Sequence, residues 1–415
     1  MFQRIGNTAF KKDLSNTLAF CEQLGNPQHK FPSVHIAGTN GKGSSAHSIA
    51  AILQTAGYKT GLYTSPHLKA FTERIKINGI EIDQKSVVSF VEEYQSFMEA
   101  LRPSFFETTV AMAFDYFATQ EVDIAIIEVG MGGRFDSTNV IKPLLSLITH
   151  IGYDHMAFLG DTLDKIAFEK GGVIKANTPV VIGEKQDETS PVFEELAIDR
   201  KAMLYYAQNF YRAEIAGVVD AKYSVNIFHD SVLAFENLSL SLGAHYQLKN
   251  LPGILKSIDI LKEKGYTIGN DDIRRGLGEV STLTGLKGRW QILHKKPLVI
   301  CDTGHNKGAL LEIRQQLQHL QYDKLYIVFG TSEEKDPAEL LSLMPQEAYY
   351  IFCKADLPRA MGVEKLTSCA KNLGLSSEES SSVMDAFKKA KALAQGNDCI
   401  FVGGSTFVVA EIDDL

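Results

Sequence analysis

Short β-branched apolar runs alternate with stretches of helical period along this chain, a pattern that predicts α/β units around a mostly parallel sheet. Ser33–Ala37 (SVHIA) reads as a first strand. It is followed by the glycine-rich GTNGKGSS and a helix in which Ile49, Ile52 and Leu53 recur at helical spacing up to Gly57. Thr60–Thr64, Asp123–Val129, Leu144–Thr149 and Pro179–Ile182 read as further strands, and Lys85–Leu101, Glu107–Thr119 and Asp161–Lys170 as helices. From about Ala207 to Leu242 the period falls to two (YSVNIFH, LSLSLGAHY), which predicts a small antiparallel sheet. Helices follow near Gln247–Lys264 and Asp271–Glu279, and Ser281–Arg289, rich in Gly, Ser and Thr, reads as a boundary loop. A second α/β series then places strands at Leu298–Cys301, Leu325–Phe329, Tyr349–Cys353 and Cys399–Val402. Its helices fall at Lys307–Leu320, Pro337–Leu343, near Ala386–Ala394 and from Ser405, with Ser376–Ser382 as a surface loop. The expected division is 1–287, a parallel-sheet domain carrying the small antiparallel sheet, and 288–415, a Rossmann-like α/β domain with four strands.

Composition narrows the functional classes. A chain of 415 residues with 45% hydrophobic and 22% charged residues can bury a sizeable core. Its 42 basic against 50 acidic residues leave a charge of −8, which argues against a general nucleic-acid binder. Cys21, Cys301, Cys353, Cys369 and Cys399 are scattered without CxxC spacing and read as reduced cysteines of a cytoplasmic protein. The opening MFQRIGNTAFKKDLSNTLAF has the wrong pattern for a signal peptide, and no apolar run approaches the ~20 residues of a membrane span.

The chemistry concentrates at Ile36–Ser45. Glycines let the backbone turn successive N–H groups toward an anion, and the start of the following helix adds its positive dipole end. Gly38, Thr39, Asn40, Gly41, Lys42, Gly43, Ser44 and Ser45 are therefore read as a phosphate-binding loop, with Lys42 as a point charge and a serine hydroxyl at its side. The bland alternative is a glycine turn with a solvated lysine. The spacing departs from GxxxxGK[ST]: Ile36 stands where the first glycine belongs, and Gly43 separates lysine from serine.

HIAGTNGKGS resembles the loop of the Mur ligase superfamily, in its folylpolyglutamate synthase and dihydrofolate synthase branch. The resemblance continues through TSPHL (Thr64–Leu68), TERIKING, FFETTVAMAF (Phe105–Phe114), IEVGMGGRFDSTNVI (Ile127–Ile141) and IGYDHMAFLGDTLDKIAFEKGGVIK (Ile151–Lys175). It then runs through GAHYQLKN (Gly243–Asn250), Gly288–Arg289, CDTGHN (Cys301–Asn306), VFGTSEEKD (Val328–Asp336), PRA (Pro358–Ala360) and GSTFVVAE (Gly404–Glu411). It implies an ATP- and magnesium-dependent amide ligase with an N-terminal P-loop-type ATPase domain and a C-terminal Rossmann-like domain. ATP is then expected in the cleft between them.

Glu128, at the end of a buried strand, is well placed for a cation on its own merits. The resemblance makes it a magnesium ligand together with Ser65 and His155, although spacing alone would make His155 a general base or a hydrogen-bond donor. Lys170 reads as an ordinary helix-terminal lysine; the resemblance implies a carbamylated lysine there, an anionic ligand near a second metal. Asn250, with Gln247 beside it, Arg289, Asp302 and His305 match the family's nucleotide-binding positions. Pro66, His67, Phe71, Arg74, Phe135 and Asp136 fall in segments that border the folate or pteroate. His29, His47, His229, His294 and His319 match no motif and read as structural or exposed.

The implied reaction adds L-glutamate to dihydropteroate, to the γ-carboxylate of folates, or to both, and TSPHL followed by TERI resembles the enzymes that do both. The partners are then small molecules, and the family's members are generally monomers. A muropeptide ligase would need a nucleotide-sugar domain ahead of the loop, and 37 residues precede Gly38. A P-loop switch would lack the second domain's DTGHN, and an inert binding protein would have lost Lys42, Glu128, His155 or Lys170. Tail extension alone remains open as an activity.

Overall fold

The computed structural model describes residues 13–219 and 222–415. Contacts divide the chain into two compact units: the first runs to Ser241 and resumes over Tyr246–Leu286, and the second takes Leu242–His245 and Lys287–Leu415.

In the first unit the strands are β1 Ser33–Ala37, β2 Thr60–Tyr63, β3 Ile75–Ile77, β4 Ile80–Glu81, β5 Ile124–Glu128, β6 Leu145–Ile148, β7 Val180–Ile182 and β8 Leu204–Tyr206. They form one sheet in the order β4-β3-β2-β5-β1-β6-β7-β8. It is parallel except where β3 pairs antiparallel with β2 and with β4. β1 lies between β5 and β6, pairing Ile36 with Glu128 on one side and Ala37 with Ile148 on the other. Its five residues are all buried, as an apolar central strand must be when helices cover both faces. The helix Lys42–Thr55 is buried from Gly43 to Leu53, and its Ile49, Ile52 and Leu53 join Val34, Ile36 and Leu147 in one core cluster. Phe114 and Phe117 of the helix Phe105–Thr119 fill a second cluster with Phe20, Phe31 and Ile127. The period-two segment forms β9 Tyr211–Val219, β10 Lys222–His229 and β11 Val232–Ser239, an antiparallel sheet in the order β11-β10-β9.

The second unit has strands β12 Gln291–Lys295, β13 Leu298–Cys301, β14 Leu325–Phe329, β15 Tyr349–Phe352, β16 Ser376–Glu379 and β17 Cys399–Gly403, in the order β12-β13-β17-β14-β15-β16. All pairs are parallel except β12 with β13.

Six strands replace the four expected, and the two additions are the sheet's edges. Ser376–Ser382, expected as a loop, contributes β16: Tyr349–Phe352 pairs with Ser376–Glu379, whose polar side chains stay half-buried or exposed. An edge strand needs no apolar signature, and acidic residues there oppose further pairing. The expected boundary loop holds a short helix, Val280–Thr284. Helices Ser15–Gln23, Ser190–Asp199 and Val363–Asn372 went unread.

Candidate active site

The glycine loop leaves β1 at its C-terminal end and turns into the helix Lys42–Thr55. Gly38 has φ +142°, and a Cβ there would sit 1.9 Å from Thr149 Oγ1; Gly41 has φ +89°, and a Cβ would sit 2.3 Å from Asn250 Oδ1. Glycine is therefore demanded twice, by backbone conformation and by close approach. Thr39 N–H donates to the His150 carbonyl at 2.6 Å, Thr149 Oγ1 donates to the Asn40 carbonyl at 2.7 Å, and Gly152 N–H donates to Thr39 Oγ1 at 3.0 Å. Asn250 Nδ2 donates to Gln247 Oε1 at 2.9 Å, and Gln247 Nε2 donates to Ser44 Oγ at 3.1 Å. The loop is thus braced by β6's end on one side and by two amides on the other. Lys42 Nζ lies against the loop, 3.0 Å from the Gly38 carbonyl and 3.1 Å from that of Thr39. Ser45 Oγ is buried without a hydrogen-bond partner among the described residues. A cradle closed to side chains, with an ammonium inside it, fits a polyphosphate.

Ser65 and Glu128 come from the ends of adjacent parallel strands, β2 and β5, and Ser65 N–H donates to Glu128 Oε2 at 3.2 Å. Glu128 is 5% exposed. His155 opens the short helix Met156–Leu159 with a left-handed φ of 50°, and its Nε2 lies 3.9 Å from Asp154 Oδ2. A buried carboxylate held by the serine's main-chain N–H at the strand ends suits magnesium, which takes few protein oxygens and leaves the rest to phosphate and water.

Lys170 is 4% exposed, and its Nζ donates to the Gly38 carbonyl at 2.8 Å. Burial, followed by the charge of Lys42, pushes its ammonium down to about 7. A neutral amine is therefore accessible near pH 7, as carbamate formation requires.

Arg74, 5% exposed, donates from Nε to His67 Nδ1 at 2.8 Å, which leaves the neutral imidazole's proton on Nε2. Its guanidinium lies 5.3 Å from the Phe105 ring centroid, and Phe71 meets the same ring edge-on at 5.8 Å. Burial lowers the Arg74 pKa, against which the charges of Glu128 and Glu73 act. His67, Phe71 and Arg74 therefore form one group, with Pro66 following Ser65 through a cis peptide bond. Phe135 lies under the Arg134 guanidinium at 4.4 Å. Asp136 is different: Oδ2 accepts from Met131 N–H at 2.8 Å and Oδ1 from Thr138 N–H at 3.0 Å. Both of its oxygens serve its own loop.

In the second unit, Asp302 directly follows β13 and accepts from Trp290 N–H at 2.7 Å and from Gly304 N–H at 2.8 Å. Arg289 donates to the Gly288 carbonyl at 3.2 Å and to Thr303 Oγ1. His305 Nδ1 donates to the Thr303 carbonyl at 3.0 Å. Asp302 and His305 share the turn that follows β13, and Arg289 reaches it from the segment before β12.

Sequence reasoning missed Thr149, His150 and Gly152, the far wall of the loop. They lie over a hundred residues from it, and nothing local in the sequence ties them to the loop.

A glycine cradle at the carboxyl edge of a parallel sheet, followed by a separate α/β unit, defines a two-unit phosphate-binding α/β protein. The Mur ligase middle domain family matches residues 36–251, and the family described as Mur ligase, glutamate ligase domain matches residues 288–406. The chain is 33% identical over 422 residues to the Bacillus subtilis dihydrofolate synthase/folylpolyglutamate synthase, covering 97% of this chain and 94% of that one. It is also 33% identical over 405 residues to a probable bifunctional folylpolyglutamate synthase/dihydropteroate synthase of Haloferax volcanii. That alignment takes in 94% of this chain, which spans only 46% of that relative's length. Escherichia coli FolC in complex with DHPP and ADP superposes with a TM-score of 0.87 at 26% identity, covering 99% of this chain and 94% of that one. The chain belongs to the folylpolyglutamate synthase/dihydrofolate synthase family of the Mur ligases.

Proposed function

We propose that this chain is an ATP-dependent amide ligase that adds L-glutamate to dihydropteroate and to the γ-carboxylate of folates through an acyl phosphate. The observation that carries the reading is the Gly38–Ser45 cradle with Lys42 inside it, on the same sheet edge as the Ser65–Glu128 pair.

Joining a carboxylate to an amine in water is uphill, and the carboxylate is a poor electrophile. Attack of its oxygen on the γ-phosphorus of ATP gives an acyl phosphate and ADP; the amino group of glutamate then attacks the activated carbonyl and phosphate leaves. The first step brings two anions together, so its obstacle is electrostatic. Lys42 neutralises charge on the outer phosphates, and the loop's N–H groups fix their place. Ser65, Glu128 and His155 would hold magnesium, which would supply positive charge to offset that of the phosphates. Lys170, as a carbamate, adds an anionic ligand on the cradle's inner side. Asn250, Arg289, Asp302 and His305 are proposed as nucleotide contacts. Pro66, His67, Phe71, Arg74 and Phe135 are proposed for the acceptor, with Asp136 holding the loop beside them. We place the enzyme in the cytoplasm as a monomer; its free cysteines accord with a reducing compartment. No helix among the described residues is long and apolar enough to cross a membrane.

The test is glutamate-dependent phosphate release from ATP, measured with dihydropteroate and separately with reduced folates. Activity with both is expected. Activity with folates alone reduces the reading to tail extension, and activity with neither overturns it.

A further inference from the structure

The loop after β5 is stitched to the end of the Lys170 helix by a residue with no part in the chemistry above. Arg134 donates from Nη2 to Glu169 Oε1 at 2.6 Å and from Nε to Glu169 Oε2 at 3.3 Å. Its guanidinium carbon lies 4.4 Å from the Phe135 ring centroid and 5.0 Å from that of Phe168. Its main-chain N–H donates to the Glu169 carbonyl at 2.8 Å. Its own carbonyl accepts from Asn139 Nδ2 at 3.1 Å, and the same amide donates to the Gly172 carbonyl at 3.0 Å. Gly133 permits the approach: a Cβ there would lie 2.7 Å from the Lys170 carbonyl.

An isolated surface ion pair contributes little, but this one is two-pronged, sandwiched between rings, and backed by three main-chain contacts around Lys170. The loop starts two residues after Glu128, so the stitch fixes Lys170 relative to that carboxylate. We propose that Arg134 is a positioning residue for Lys170: it holds the helix end so that the lysine nitrogen reaches the Gly38 carbonyl, and it offsets the Glu169 charge next to the anion that Lys170 becomes.

The inference rests on the carbamate reading of Lys170. In that step the neutral amine attacks the carbon of CO₂, an N–C bond forms, one C–O π pair becomes the carboxylate, and the surplus amine proton leaves to solvent. Arg134 takes no part in the bond changes; it sets where the nitrogen sits and which charges face the product.

The experiment uses the full chain with ¹³C-bicarbonate, reading the carbamate carbon by NMR and turnover against bicarbonate concentration, with thermal unfolding as the fold check. Wild type is expected to show a carbamate signal that Lys170→Arg abolishes. Arg134→Ala is expected to lower carbamate occupancy at fixed bicarbonate by roughly tenfold, the scale seen when a group orienting a metal ligand is removed. Added bicarbonate should restore its turnover, a rescue that general damage to the fold would not give. Should Arg134→Ala not fold, Arg134→Lys, which keeps the charge but not the fork, should show the same loss in smaller measure. Absence of any wild-type signal overturns the Lys170 reading itself. A wild-type signal that persists at equal occupancy in the folded Arg134 variants overturns this inference alone.

Discussion

Gly41→Ala tests the cradle at its tightest point. Alanine at φ +89° costs about 1–2 kcal/mol in backbone strain. Its Cβ would also meet Asn250 Oδ1 at 2.3 Å, so the amide must swing away and give up its bond to Gln247, and Gln247 its hold on Ser44. Two such bonds contribute about 1–3 kcal/mol together. Relieved by relaxation of the free loop and imposed again when nucleotide binds, the sum of about 2–5 kcal/mol predicts affinity reduced between roughly 30-fold and 4,000-fold at 1.4 kcal/mol per tenfold. Titration calorimetry with ADP and a nonhydrolysable ATP analogue measures it. A double-mutant cycle with Asn250→Ala separates the two causes: the clash vanishes when the amide is absent, so the coupling should reach at least about 1 kcal/mol. Additive effects within about 0.5 kcal/mol, or unchanged affinity for Gly41→Ala alone, would refute the reasoning.

Lys42→Ala should lower turnover by two to three orders of magnitude, because a single charge donor of this kind typically contributes about 3 kcal/mol; a tenfold effect or less in phosphate release puts Lys42 off the phosphates. Lys170→Arg keeps a cation but cannot form a carbamate, and turnover should fall about 100-fold or more on the same scale. Near wild-type activity would leave Lys170 a structural cation. His35, fully buried against Thr138 Oγ1 at 2.8 Å, has its pKa pushed by burial and then Lys175 from 6.5 to about 3. The unfolded chain therefore binds the extra proton first, and this contribution to stability is lost as pH falls from 6.5 toward 3. Urea midpoints of His35→Gln should decline less steeply across that window; parallel curves would show that the imidazole is not titrating there.

The strands that carry the site were legible because central parallel strands announce themselves as short apolar runs: β1, β5, β14 and β17 all lie within a residue or two of expectation. The polar edge strand β16 was not, since its pairing is to backbone and its side chains stay half-buried or exposed. Among the site residues, Gly38 and Gly41 were legible as glycines, but what each one makes room for was not. Thr149 and Asn250 reach the loop from 111 and 209 residues away in sequence, and only the register of β1 on β6 and the turn into Leu251–Glu263 bring them there.

Lys170 shows why chemistry at a site outruns residue type. Its nitrogen and that of Lys42 both point at the Gly38 carbonyl, at 2.8 and 3.0 Å, so the two are no more than about 6 Å apart. Two ammonium ions at that separation repel by about 3 kcal/mol at an effective dielectric near 20. One carbonyl oxygen does not compensate for that. The repulsion can be relieved by a proton leaving the buried member of the pair, and Lys170, pushed down to about 7, is that member. A neutral amine is also the form that captures CO₂. In the proposed carbamate the pair has opposite signs, the repulsion becomes an attraction of similar size, and Lys42 is left as the cation facing the cradle. A variant that kept Lys170 permanently charged would hold the loop under that repulsion, which is why Lys170→Arg should lower stability as well as turnover. Thermal unfolding of the nucleotide-free variant decides it: a midpoint equal to wild type would mean that the two charges do not feel each other across the Gly38 carbonyl.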